Sequence, residues 1–229
     1  MRKLGLVGGI TWVSTIDYYR YINQAVNEKL GGHNYAECII YSVNFQQIHD
    51  NNAADDWEAT FELLSKACEN LKAAGAEAIV LCANTMHLLA DKIEAHAKLP
   101  LINITTATAE AIRQQGLKKV ALLGTQFTME RSFFKDKLRE NGIEAIIPDR
   151  GGIDYIVKTI GEELHKGLIR EETKQGYLSI IDTLIQQGAE GVILGCMEIP
   201  LLIKQEDVRV PVFDTTKIHS KAAVDFSLR

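Results

Sequence analysis

The chain has 229 residues, four cysteines and a formal net charge of −5. That balance offers no basic stripe for nucleic acid, and although 46% of the residues are apolar, no run approaches the ~18 residues a membrane span needs. The length suffices for one large or two small cores. Four thiols without a CxxC pair point to reduced cysteines and a cytoplasmic protein.

The opening Met-Arg-Lys-Leu-Gly-Leu-Val-Gly-Gly is charged and then apolar. Its apolar part is too short for a signal peptide and reads as a first strand, near 3–7. Further short apolar runs predict strands near 37–43, 78–82, 100–103, 119–124, 144–147, 191–195 and 210–213, with helical segments between them. Such alternation is the pattern of parallel sheets with crossover helices, an α/β fold. Leu64, Cys68 and Leu71 form one apolar helical stripe, and Leu178, Ile181 and Ile185 form another. Ser14 with Asp17 predicts a capping box for the first helix, Thr105 or Thr106 a cap for a later one, and Thr128 a cap after strand 119–124.

Two stretches repeat. GAEAIVLCANTMHLL (75–89) and GAEGVILGCMEIPLL (188–202) agree at six of fifteen positions with an offset of 113 residues. KLGLVGG from Lys3 matches KVALLGT from Lys119, and LPLINI from Leu99 matches VPVFDT from Val210. A period near half the chain predicts two similar lobes rather than a solenoid. The expected division is 1–104 with 214–229 as one lobe and 105–213 as the other, a helix over 216–227 returning to the first.

The loops after the strands carry the candidate chemistry. Gly9 and Ile10, between a strand and a helix, are placed to turn backbone N–H groups toward a ligand anion; a turn that simply requires glycine is the plainer alternative. The spacing around Gly5, Gly8 and Gly9 is not a dinucleotide fingerprint. Ala83, Asn84 and Thr85 follow strand 78–82, where open α/β sheets hold small ligands, although Asn84 or Thr85 could instead cap a helix over 86–95. His87 is expected to be solvated or structural. Cys196 lies just past a strand end and before a helix start whose N–H groups would favour a thiolate. In the internal alignment its partner is Ala83, not Cys82. Strand alternation turns Cys82 toward the sheet–helix layer, unless the strand end twists. Cys38 and Cys68 read as small core residues. The histidines do not cluster, and no His–carboxylate spacing suggests a metal.

Gly8-Gly9 with Ser14-Thr15, the run Asn84-Thr85-Met86-His87, Leu123-Gly124-Thr125 with Thr128, and Gly195-Cys196-Met197-Glu198 together resemble the aspartate/glutamate racemase family over nearly the whole chain. The resemblance implies two Rossmann-like lobes with parallel sheets related by a pseudo-twofold axis, an active site between them, usually a homodimer, and no pyridoxal phosphate or other cofactor. It implies that two cysteines exchange the substrate Cα proton from opposite sides, with Cys196 and Cys82 as the thiols available here. Gly9, Ile10, Asn52, Ala83, Asn84, Thr85, Thr125, Thr128, Met197 and Glu198 fall where such enzymes hold substrate. This chain departs from the pattern at Ala83, where the family usually has Cys; at Met197, where it usually has Thr; and in the loop 46–52, which lacks the Arg often found in aspartate racemases and leaves Asn51 or Asn52 as the polar groups. The expected activity is cofactor-independent racemisation of a small acidic amino acid. A single-thiol decarboxylase, isomerase or lyase, or an amino-acid-binding relative without turnover, stands as the alternative.

Overall fold

In the computed structural model, which describes residues 1–229, the chain forms two units: Met1–Asn103 with His219–Arg229, and Ile104–Ile218. The first begins with β1 (Leu4–Gly8), whose five residues are all buried. β1 must therefore satisfy its backbone on both edges, and it pairs in parallel with β2 (Cys38–Ser42) and with β3 (Ala78–Leu81). The sheet order is β2-β1-β3. Its helices are α1 (Trp12–Leu30), α2 (Phe45–Ala53), α3 (Trp57–Ala73) and α4 (Ala90–Ala97). The stripe Leu64, Cys68 and Leu71 of α3 is buried against Val7, Ile79 and Leu81.

The second unit begins with α5 (Ile104–Gln114), followed by β4 (Lys119–Gly124), α6 (Gln126–Glu130), α7 (Ser132–Glu140) and β5 (Glu144–Ile146). After α8 (Arg150–Glu162) and α9 (Glu171–Gln186) come β6 (Val192–Gly195), α10 (Ile199–Leu202) and β7 (Val212–Asp214). The sheet is parallel with order β5-β4-β6-β7. The chain ends in α11 (Thr215–Ser227), and Ser227 Oγ donates to Arg2 O at 2.6 Å.

The internal repeat is reproduced as hydrogen-bond register. Gly5, Leu6 and Val7 face Ile79, Val80 and Leu81, while Ala121, Leu122 and Leu123 face Val192, Ile193 and Leu194. Those are the pairs that the 113-residue offset and the Lys3–Lys119 match demand. The fourth position agrees too: Ile79 bridges Leu101 as Val192 pairs with Val212.

Several local expectations are corrected. Segment 100–103 is no strand but a single bridge, held by Ile79 N–H to Pro100 O and Ile102 N–H to Ile79 O. The cap of α1 is Thr11, and Ser14 lies inside the helix with its Oγ donating to Thr11 O at 3.0 Å, so there is no capping box. Thr125, not Thr128, caps α6, because its Oγ1 accepts from Thr128 N–H. Thr105 and Thr106 belong to the first turn of α5 rather than preceding it. Residues 85–89 wind as a 3-10 turn before α4, so the helix expected over 86–95 is two elements. On α9 the buried face is Thr173, Tyr177, Ile181 and Leu184, with Leu178 and Ile185 only partly covered.

Candidate active site

Alternation along β6 decides where Cys196 goes. Val192, Leu194 and Cys196 share one apolar cluster with Tyr177 and Ile181 of α9, while Ile193 lies in another with Val120, Leu122 and Phe213. At Gly195, just before it, a Cβ would sit 2.8 Å from Leu123 O and 3.0 Å from Thr128 Cγ2, so only glycine fits. Cys196 is buried and donates its thiol hydrogen to Glu198 Oε2 at 3.1 Å; Glu198 is itself only 4% exposed. His165, on the 3-10 turn Leu164–Lys166, brings Nε2 to 4.0 Å from the same carboxylate oxygen. Burial pushes the Cys196 thiol well up, and the Glu198 charge and hydrogen bond add to it; the N–H groups of Glu198 and Met197 pull the other way with less effect. The expected helix-start thiolate is thus corrected: the resting form is the thiol. Helix α10 has four residues, too short a dipole to outweigh a neighbouring carboxylate. Around this group Thr216 Oγ1 donates to Met197 Sδ at 2.6 Å and Thr215 Oγ1 to Leu194 O at 2.8 Å. Thr125 and Thr128 meet through their hydroxyls at 3.1 Å.

The end of β3 in the other unit is built differently. Cys82 is fully buried, its Sγ faces Val80 O at 3.8 Å, and burial drives its thiol far up. Ala83 joins Ile79 and Leu81 in the cluster under α3, so Ala83 and Cys82 do take opposite faces, but it is Ala83, not Cys82, that lies in the layer between the sheet and α3. Asn84 is buried and Thr85 partly so. His87 is buried rather than solvated, and its Nδ1–H donates to Ala83 O at 2.9 Å. A second buried imidazole, His219, donates Nε2–H to Ile102 O at 2.6 Å and accepts from Tyr18 Oη on Nδ1 at 2.7 Å. Carbonyls only accept, so the nitrogens facing them carry hydrogen, while burial disfavours a second proton and keeps both rings neutral. Burial lowers His87 to about 4 and His219 to about 3.

Gly9 has φ +84° and a Cβ there would lie 2.3 Å from Val43 O, so glycine is required. Its N–H donates to Thr15 Oγ1 at 2.8 Å and is thus engaged within the fold. Ile10 is buried. Asn52 Oδ1 accepts from Thr60 Oγ1 at 3.1 Å.

The Asp/Glu/hydantoin racemase family model matches residues 7–223. The chain belongs to that family. Across its full length it is 49% identical to an Asp/Glu racemase candidate of Yersinia pestis, covering all of both chains with a TM-score of 0.94. It is 38% identical to an aspartate racemase homologue of Pyrococcus horikoshii, again over all of both chains, with a TM-score of 0.88. A broad specificity amino-acid racemase of Bacillus subtilis is 23% identical over 96% of each chain.

His165 is not legible as a site residue. It stands 31 residues before Cys196 in a segment with no motif, and only the path of the chain from α8 to α9 brings it to Glu198. Glu198, by contrast, sits two residues from the thiol, and its pairing with Cys196 follows from that spacing at a strand end.

Proposed function

We propose that this family member is a cofactor-independent racemase of aspartate or glutamate in which Cys196 exchanges a proton with the substrate Cα. The observation that carries the reading is the buried Cys196–Glu198 hydrogen bond of 3.1 Å. It provides a proton carrier with a resting place for its proton. Moving that proton to Glu198 leaves a thiolate hydrogen-bonded to a carboxylic acid. With ordinary pKa values of ~8.5 and ~4.3, the transfer costs about 6 kcal/mol in water. An α-ammonium arriving beside the pair would offset part of this cost, which ties thiolate formation to substrate binding. The sulfur then takes the Cα proton, the electron pair passes onto the α-carboxylate, and a proton returns to Cα. Asn84, Thr85, Thr125 and neighbouring N–H groups are the donors proposed to hold that charge.

The family resemblance assigns the second face of Cα to the position that Ala83 occupies here. Ala83 carries no proton, and Cys82 is packed against Val80 O. Proton return there falls to Thr85 or water, so inversion should be slower than exchange. That asymmetry favours one second reading, a reaction needing a single thiol, such as decarboxylation.

Chiral chromatography of aspartate and glutamate incubated with the protein tests the proposal. Both enantiomers of one of them should converge on an equal mixture. Folded protein that inverts neither, yet releases CO2 from a substituted malonate, would give the assignment to the single-thiol alternative.

A further inference from the structure

We propose that His165, Cys196 and Glu198 form a binding site for a borderline-soft divalent cation, zinc above all, whose occupancy switches the thiol off. Residue spacing carries no sign of a metal site; the fold supplies one. A thiol sulfur, an imidazole nitrogen and a carboxylate oxygen lie within 4.8 Å of one another. The sulfur and carboxylate oxygen are 3.1 Å apart, and that oxygen is 4.0 Å from His165 Nε2.

Bonds of ~2.3 Å to sulfur and ~2.0–2.1 Å to nitrogen or oxygen place tetrahedral zinc ligands roughly 3.3–3.6 Å apart. Cys196 and Glu198 are already near that spacing. His165 has to close by roughly half an ångström or more, measured against those bond lengths. It is the one member able to do so cheaply, because its side chain is 28% exposed and its turn ends at Gly167 with φ +72°. The same exposure gives an ion a way in.

The donor set selects the ion. Magnesium and calcium require oxygen ligands, whereas one sulfur, one nitrogen and one oxygen suit zinc or cobalt(II). Binding breaks the S–H bond and forms a metal–sulfur bond, the proton passes to buffer, and nothing is oxidised or reduced. Thiolate and carboxylate then balance the two positive charges, so the buried group becomes neutral overall. Three protein ligands leave a fourth position open. A sulfur bound to metal is a far weaker base and carries no hydrogen to return to Cα, so an occupied site would be inactive. Only this last consequence rests on the racemase reading; the metal site itself does not.

The test uses the full-length protein, stripped with EDTA and titrated with cobalt(II). The expected result is one cobalt(II) per chain, with a near-ultraviolet thiolate-to-cobalt band and the visible bands of tetrahedral cobalt, all removed by one equivalent of zinc. Cys196→Ser should abolish the thiolate band, and His165→Gln should weaken cobalt binding at least ~10-fold with unchanged circular dichroism. No thiolate band in the wild type, a band that survives Cys196→Ser, or equal affinity in His165→Gln would overturn the site. If a variant loses its fold, zinc-protected alkylation of Cys196 in the wild type decides, with no protection counting against the site. Racemisation by the metal-free protein is measured separately, so its absence would count against the proposed function and leave the cobalt result standing.

Discussion

The two units share a register and differ in what they place at its end. β1 with β3 and β4 with β6 pair in equivalent registers, β4 lying 116 residues after β1 and β6 following β3 with an offset of 113. At the strand ends that offset sets Cys82 against Gly195, Ala83 against Cys196, and Thr85 against Glu198. In one unit the thiol sits on the face opposite the equivalent position and is buried against a carbonyl. In the other it stands on the helix-packed face with a carboxylate two residues on. A shift of one residue along a strand changes the face, and with it the partners a side chain meets. The two units therefore share a scaffold, and under the proposed function the proton chemistry is one-sided. The first unit instead buries two neutral imidazoles, whose N–H groups fix the carbonyls of Ala83 and Ile102.

The sharpest way to break this comparison is to treat the two thiols alike. Cys196→Ser should lower racemisation by ~10²–10⁴-fold, the range for loss of a positioned acid–base group, while Cys82→Ser should cost less than about 3-fold. Equal losses in steady-state assays of folded variants would place Cys82 in the chemistry as well. Glu198→Gln comes next. It should reduce turnover by ~10²-fold. It should also move the onset of Cys196 alkylation to lower pH, since Glu198 raises the thiol through its charge and hydrogen bond. Mass spectrometry of iodoacetamide-treated protein across a pH series reads that onset, and an unmoved or raised onset would contradict the pairing.

The first unit's imidazoles predict acid sensitivity. Unfolded histidine titrates near ~6.5, whereas His87 and His219 in the fold are held at about 4 and about 3. Between those values the unfolded chain binds more protons, so their stabilising contribution is complete above about pH 6.5 and is lost as pH falls toward the folded values. Urea unfolding midpoints should fall from pH 7 to pH 4, and His219→Gln should flatten that slope. The smallest expected effect is the most specific. Ala83→Cys restores a thiol in register with Cys196 and should raise inversion relative to exchange by a few-fold.

Much of the architecture is legible in the amino-acid sequence. Seven of the eight predicted strands form, because β-branched and aliphatic runs flanked by Gly and Ala-Glu turns have few other ways to bury themselves. The remaining one, 100–103, meets only Ile79 and so forms a bridge rather than a ladder, although the equivalent segment after Pro211 does form β7. Opposite faces for Cys82 and Ala83 follow from alternation alone. The helix caps are less legible: Ser14 and Thr128 each have a hydroxyl neighbour, Thr11 and Thr125, that takes the capping position. The protonation of Cys196 escapes a reading of its strand-to-helix turn, because the burial and the carboxylate around the sulfur outweigh the turn's N–H groups. His165 gives no local sign, since its approach to Glu198 depends on a chain path that spacing does not encode.

The most direct test of one-sided proton chemistry is the isotopic fate of Cα. Each enantiomer of aspartate and glutamate is incubated with metal-free protein in deuterated water, and deuterium incorporation is compared with inversion by mass spectrometry after chiral separation. With Cys196 as the sole thiol in register, one enantiomer should gain deuterium faster than it converts to its mirror image. If every exchange event in the wild type is matched by inversion, a second, equally placed base acts on the far face, and the asymmetry between Cys196 and Ala83 does not govern the reaction.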